Sequence, residues 1–268
     1  MREIYVRKRD GRVEKFSPEK VRRTLLKAGA SRDVTERIIR ELERRIYSGI
    51  TTDEILSIVL DLLYRYETGS GARYDLKRSM FRLGPAGFEF EKFVARLLEE
   101  YGFRTRTNVI VEGECVEHEI DVIAEKDGKS YLIECKFHSF PAYTGLKEVM
   151  YTYARFLDVG RFDAVWLITN TKFSDEAKRY GECRGVRLTG WKYPEGEGIE
   201  RMLERKNLYP VTLLRIEKET LDRLVNARVV FCRDVVASGV RGLKKIGLSE
   251  REARRVLKEA REILRNTS

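Results

Sequence analysis

Asp127-Gly128, set between two runs of alternating apolar residues, limits the folding of this 268-residue chain more than any other feature. Asp-Gly supplies two adjacent residues that tolerate positive φ, which a two-residue hairpin loop requires. The flanking runs, Ile120 to Ala124 and Tyr131 to Cys135, then become antiparallel strands. With Asp127 and Gly128 as the loop, Lys126 faces Lys129 and, counting outward, Asp121 faces Glu134. Facing residues share a sheet face with Cβ atoms roughly 4.5–5.5 Å apart. Lys136, two positions beyond Glu134, points to that same face. A longer loop would shift this register.

One hairpin thus gathers two carboxylates and an ammonium group. Carboxylates this close repel unless a cation lies between them, and a hard ion such as Mg²⁺ prefers oxygen ligands. A neighbouring lysine can orient a water or stabilise charge at phosphorus, which together with a metal is a minimal kit for phosphodiester hydrolysis. The competing reading is a solvent-facing hairpin whose charges form exposed ion pairs.

The rest of the chain falls around this hairpin. Ile4 to Val6, a tight turn at Arg9-Asp10-Gly11-Arg12, and Val13 to Phe16 make a first strand pair. Ser17-Pro18 starts a helix by a side-chain cap with proline at its first position. Val34, Ile38, Leu42 and Ile46 recur at helical spacing. Thr51 and Glu54 form a capping box for a third helix, and Gly69-Ser70-Gly71 reads as a break before a last one. Gly84-Pro85-Ala86-Gly87 marks a domain boundary. An amphipathic helix over 88–101 follows, then strands at 107–111, 117–124, 130–137 and 164–169, with a helix over 145–157. Ser174 caps a further helix, and 186–188 reads as a last strand. Beyond Leu203 the pattern is short helices, then Ser249 and Glu252 as a capping box before a basic helix.

Asp121 followed by Glu134-x-Lys136 on the next strand resembles the PD-(D/E)xK nuclease signature. Gly87-Phe88-Glu89-Phe90-Glu91-Lys92-Phe93-Val94-Ala95-Arg96-Leu97-Leu98 is similar to the opening helix of Mrr-type restriction endonucleases. Trp166-Leu167-Ile168-Thr169-Asn170 and Phe173-Ser174-Asp175-Glu176-Ala177 resemble that family's later strand and helix. The resemblance covers about 85–200 in the expected order. It implies that Asp121 and Glu134 are ligands of Mg²⁺ or Mn²⁺, that Lys136 is the catalytic lysine, and that Glu91 supports the metal site. Glu89 competes with Glu91 for that role, and Ile120 stands where the family often has proline.

Val6-Arg7-Lys8-Arg9-Asp10-Gly11-Arg12-Val13-Glu14-Lys15-Phe16-Ser17-Pro18-Glu19-Lys20-Val21 resembles an ATP-cone, continuing through Thr51-Thr52-Asp53-Glu54-Ile55 to Tyr74-Asp75-Leu76-Lys77-Arg78. The resemblance implies ATP or dATP as effector, with Lys8, Arg9 and Lys20 as its phosphate contacts; the alternative is that Lys8 and Arg9 are merely solvated. Leu243-Lys244-Lys245-Ile246-Gly247 is similar to a helix-hairpin-helix, with Lys245 in place of the first glycine. Arg251, Arg254, Arg255 and Lys258 would then meet DNA phosphates. The alternative is a charged packing domain.

Net charge is +10, which favours a polyanionic partner. The four cysteines never fall at C-x-x-C spacing and the chain has two histidines, so zinc is not expected and the thiols are read as reduced, in a cytoplasmic protein. No apolar run is long enough for a membrane span and no signal-peptide pattern opens the chain. Glutamine is absent and Glu, Lys and Arg are abundant, a bias resembling thermophile proteins.

The expected architecture is an α/β restriction-endonuclease-like core (85–202), flanked by a small α+β ATP-cone-like domain (1–84) and a small all-α C-terminal domain (203–268). The expected function is metal-dependent hydrolysis of DNA phosphodiesters under nucleotide control, in a homodimer. The alternative is a catalytically silent, nucleotide-responsive DNA-binding regulator, and RNA is a third possible target of the same chemistry.

Overall fold

The structure, a computed structural model, describes residues 3–8, 10–83 and 88–265, without the side chains of Arg73, Phe88 and Glu89. The boundary expected at Gly84–Gly87 and the role weighed for Glu89 therefore lie outside what is described. Two compact units form: Met1–Leu76 with Lys258–Ser268, and Lys77–Leu257.

The first unit opens with a hairpin, β1 (Tyr5–Arg7) and β2 (Val13–Lys15), with Val6 opposite Glu14. Gly11 turns the chain at φ 82°, and Asp10 accepts a hydrogen bond from the Arg12 amide at 3.1 Å. Helices α1 (Pro18–Lys27), α2 (Arg32–Arg45) and α3 (Thr52–Tyr66) follow. Ser17 caps α1 through the Lys20 amide, and Thr51 and Glu54 make the reciprocal box that starts α3. Val6, Leu25, Ile38, Leu42, Val59 and Leu62 share one core. Burying such side chains stabilises by about 1.5–3 kcal/mol each.

The glycine-rich break expected at 69–71 is not a break. Helix α4 (Thr68–Met80) runs through it, and the chain turns earlier, at Glu67. Gly71 serves packing instead. A Cβ on Gly71 would lie 3.2 Å from the Tyr64 ring and backbone, so glycine permits that close approach.

The second unit is built on a five-stranded sheet. After α5 (Phe88–Glu99) come β3 (Arg104–Glu112), β4 (Glu117–Lys126) and β5 (Lys129–Lys136), an antiparallel meander. Next come β6 (Tyr143–Thr144), α6 (Leu146–Val159), β7 (Ala164–Thr169), β8 (Lys172–Phe173), α7 (Asp175–Arg184) and β9 (Arg187–Thr189). The sheet order is β3-β4-β5-β7-β9, with β5, β7 and β9 parallel. Helical crossovers cover the parallel half, so β7 reads as a continuous apolar run. Ser174 caps α7 as expected.

The C-terminal segment is helical: α8 (Ile199–Arg205), a 3₁₀ turn at Val211–Leu213, α9 (Lys218–Asn226), α10 (Cys232–Lys245) and α11 (Glu250–Arg265). Gly239, at φ 58°, kinks α10. The start of α10 and the residues just before it pack on α5. The Phe93 and Phe231 rings meet edge to face at 5.9 Å, and both are fully buried. Arg96 pairs with Asp234 at 3.1 Å, Arg233 with Glu100, and Arg228 with Glu99.

Candidate active site at the open end of the β4–β5 hairpin

Asp127 and Gly128 both take positive φ, 52° and 75°, so the two-residue loop sets the register expected of it. Lys126 faces Lys129, and pairing continues to Val122 and Ile133, where it stops. Asp121 and Glu134 come next in that register. They are not joined through their backbones as a ladder pair. Instead the Cys135 amide donates to Asp121 Oδ2 at 2.7 Å, so a side chain makes the last link between the strands.

Glu134 is held by a residue that the sequence did not single out. Arg155, on α6, donates through Nη1 to Glu134 Oε2 and through Nη2 to the Glu119 carbonyl. Its side chain is buried. Among the described residues, Asp121 Oδ1 and Glu134 Oε1 have no hydrogen-bond partner. Each acid is therefore held by one oxygen and offers the other.

Glu91 comes to the same place from α5. Its Oε2 accepts from Asn108 Nδ2 at 2.7 Å. Asn108 stands on β3 between Thr107, opposite Val122, and Val109, opposite Ile120, so the register sets it across from Asp121. It adopts φ 53°, a left-handed conformation that asparagine tolerates better than most residues.

Burial first, then the negative charge of Asp121, pushes Glu134 up to about 7. Burial likewise pushes Glu91 up to about 7, with Asp121 and Glu119 adding to the shift against the Asn108 hydrogen bond. Asp121 is also raised, by burial. Lys136 opposes the shifts on Asp121 and Glu134 by its charge, and forms no ion pair among the described residues. The three acids expected from the sequence thus feel one another's charge, and Lys136 acts on Asp121 and Glu134.

Among the described residues no three acidic, His or Cys side chains converge at metal-ligating spacing. The donor set nonetheless suits a hard divalent cation. Two half-buried carboxylates each leave one oxygen open, and Mg²⁺ is commonly bound by one or two carboxylates with water and substrate phosphate completing its shell. Just past Lys136, Asn170 clamps the chain: its Oδ1 accepts from the His138 amide at 2.9 Å and its Nδ2 donates to the His138 carbonyl at 2.8 Å. The His138 ring in turn meets Thr144 Oγ1 at 3.1 Å.

In the first unit, Lys8 and Lys20 converge on one oxygen, Glu14 Oε1, at 2.8 and 3.3 Å. Arg9, the third residue expected there, lies outside the described residues. In the C-terminal segment Gly247 turns at φ 93° between α10 and α11, while Lys245 is still helical, so its position does not demand glycine. The Arg223 guanidinium donates to the Gly247 carbonyl at 2.7 Å. Arg251, Arg254, Arg255 and Lys258 are all exposed; Arg254 pairs with Glu250 at 2.7 Å and Lys258 lies 3.9 Å from Glu262.

Two residues of the site were missed, and each left a trace. Arg155 falls on the buried face of α6 with Val149, Thr152 and Val159, where a charge is out of place unless paired. Asn108 interrupts a Thr- and Val-rich strand in which asparagine is disfavoured.

Family models match in the expected order: an ATP cone domain at residues 4–78, a restriction endonuclease domain at 85–192, and an AF1548-like C-terminal domain at 209–264. An uncharacterized protein of Archaeoglobus fulgidus is 64% identical over 173 residues, 64% of this chain and 99% of that one. A second uncharacterized protein of the same organism is 56% identical over 41 residues, 15% of this chain and 87% of that one. Among solved structures, the crystal structure of AF1548, described as a protein of unknown function, superposes with a TM-score of 0.64. It is 62% identical, and the match covers 66% of this chain and 97% of that one.

Proposed function

For this chain, which belongs to the AF1548-like family and joins an ATP cone domain to a restriction endonuclease domain, we propose metal-dependent hydrolysis of DNA phosphodiester bonds. The observation that carries this is the open end of the β4–β5 hairpin. There, among the described residues, Asp121 and Glu134 each keep one oxygen without a hydrogen bond and Lys136 forms no ion pair.

Asp121 Oδ1 and Glu134 Oε1 would hold Mg²⁺ or Mn²⁺, with Glu91 behind them. The ion's contribution is charge neutralisation and a more acidic bound water. The protein's own groups do the rest. Cys135 and Arg155 fix the two ligands, and Asn108 fixes Glu91. Lys136 meets the non-bridging oxygens of the scissile phosphate, where charge grows as water adds to phosphorus and one ester oxygen departs with a proton. The ATP cone gates this activity, with Lys8, Arg9 and Lys20 as phosphate contacts for ATP or dATP. A net charge of +10 suits a DNA partner, and two copies would cut both strands of a duplex.

Cleavage of supercoiled plasmid and branched DNA with Mg²⁺ or Mn²⁺, with and without ATP, tests this in the wild type and Lys136→Ala. Metal-dependent nicking that disappears in the variant supports the reading. Binding without cutting by both proteins, under every condition, replaces it with a nucleotide-responsive DNA-binding regulator. Preferential degradation of a competing RNA would identify RNA as the target.

A further inference from the structure

Arg155 is a charged residue at a core position, 7% exposed, on the helix that crosses from β5 to β7. Its two terminal nitrogens reach different strands: one the Glu134 carboxylate at the end of β5, the other the Glu119 carbonyl on β4. Both acceptors lie beyond Val122 and Ile133, the last ladder pair. Nε is buried with no hydrogen-bond partner among the described residues, so the side chain's polar reach is spent on this one bridge. A structural ion pair needs a carboxylate. It does not need the carbonyl of the neighbouring strand as well.

We propose that Arg155 is the positioning residue for the cation site: it anchors Glu134 by Oε2 to the β4 backbone and so presents Oε1 to a divalent ion. This rests on the nuclease reading of Asp121 and Glu134. The two acids are held in parallel ways, Asp121 by the Cys135 amide and Glu134 by the Arg155 fork, and both holds span the gap where strand pairing has ended. The fork matters as much as the charge. Lysine carries the same charge on a single nitrogen and lacks the rigid, planar fork that spans two acceptors. Metal sites whose ligand-orienting partners are removed typically lose roughly 10- to 100-fold in affinity.

Three roles for Arg155 predict different outcomes. A positioning residue loses metal affinity when changed to either lysine or methionine. A simple counter-ion is replaced by lysine without loss. A competitor for the carboxylate binds metal more tightly once its charge is gone.

The test is Mn²⁺ binding to the full-length protein by calorimetry at fixed pH, with thermal unfolding measured in parallel, for the wild type, Arg155→Lys and Arg155→Met. The expected result is binding by the wild type and roughly 10-fold or greater weakening in both variants, with cleavage by Arg155→Lys recovering as Mn²⁺ is raised. Wild-type affinity in Arg155→Lys, or tighter binding in Arg155→Met, overturns the proposal while leaving the nuclease reading intact. Absence of Mn²⁺ binding by the wild type overturns both. Should the Arg155 variants fail to fold, Tyr151→Leu decides. Tyr151 is 57% exposed, and its ring centroid lies 5.4 Å from the guanidinium. Weaker binding in that variant supports the proposal, and unchanged binding overturns it.

Discussion

Asn108, in left-handed backbone conformation on β3, donates its side-chain amide to Glu91 Oε2 at 2.7 Å. One residue thus interrupts the β3–β4 pairing opposite Asp121 and holds a carboxylate supplied by another element. Asn108→Ala loses the hydrogen bond and keeps the backbone cost, so urea unfolding should show a loss of about 1–2 kcal/mol. Asn108→Gly should lose less, because glycine relieves about 1–2 kcal/mol of left-handed strain. Equal stability of the two variants would show that the backbone conformation carries no cost here.

The raised acids set a pH dependence whose sign is definite. Glu91 and Glu134, ordinarily near 4.5, are pushed up to about 7, chiefly by burial. The stability they contribute is present below about 4.5 and is lost as pH rises through about 7, where both ionise in the fold. The metal-free protein should therefore lose stability between about pH 4.5 and about 7, and Glu91→Gln should flatten that slope. Cation binding needs the ionised forms, so Mn²⁺ affinity should rise over the same interval with proton release. Calorimetry in buffers of different ionisation enthalpy measures this, and a pH-independent affinity would contradict it.

Asp158 works in the opposite direction. The Cys115 thiol, His118 and the Cys115 and Val116 amides hold its carboxyl down at about 2. Its stabilisation is present above its ordinary value of 3.8 and is lost as pH falls through about 2. It ties the end of α6 to the β3–β4 turn, where the His118 ring lies 2.7 Å away. Asp158→Asn should flatten the acid limb of the stability curve and speed amide exchange at Cys115 and Val116. Unchanged exchange there would mean that the turn does not depend on this carboxylate.

In the ATP cone, Glu14 occupies the two lysines expected to bind phosphate. A triphosphate held by these lysines would have to displace it, so Glu14→Ala should bind ATP or dATP more tightly than the wild type, and Lys20→Ala more weakly. Isothermal titration checks both. Weaker binding by Glu14→Ala would show that the carboxylate organises the lysines and does not compete for them.

The C-terminal segment cannot be tested by removing it, because Phe231 is part of the core around Phe93 on α5. Arg251 and Arg255 are exposed, so Arg251→Glu and Arg255→Glu leave that core alone. If these residues meet DNA phosphates, the slope of log affinity against log salt should fall by about 0.9 for each phosphate no longer neutralised. A slope equal to that of the wild type refutes the DNA-clamp role.

The register of the central hairpin was legible in the sequence because Asp127 and Gly128 dictate a two-residue loop, and side chains alternate strictly from there. That local rule brought Asp121, Glu134 and Lys136 to one end of the sheet before any tertiary contact was known. Helix starts at Ser17, Thr51, Ser174 and Ser249 were legible for the same reason: a cap acts over three residues. The glycines at 69–71 misled, since a glycine that breaks a helix and one that lets two helices touch look alike until the neighbour, Tyr64, is in place. Arg155 and Asn108 belong wholly to the tertiary structure. Periodicity tells which face of α6 is buried, but not that this face meets the Glu134 carboxylate. Nor does β3 reveal that its asparagine lies under Glu91, because both interactions join segments whose approach is set by packing and by no local rule.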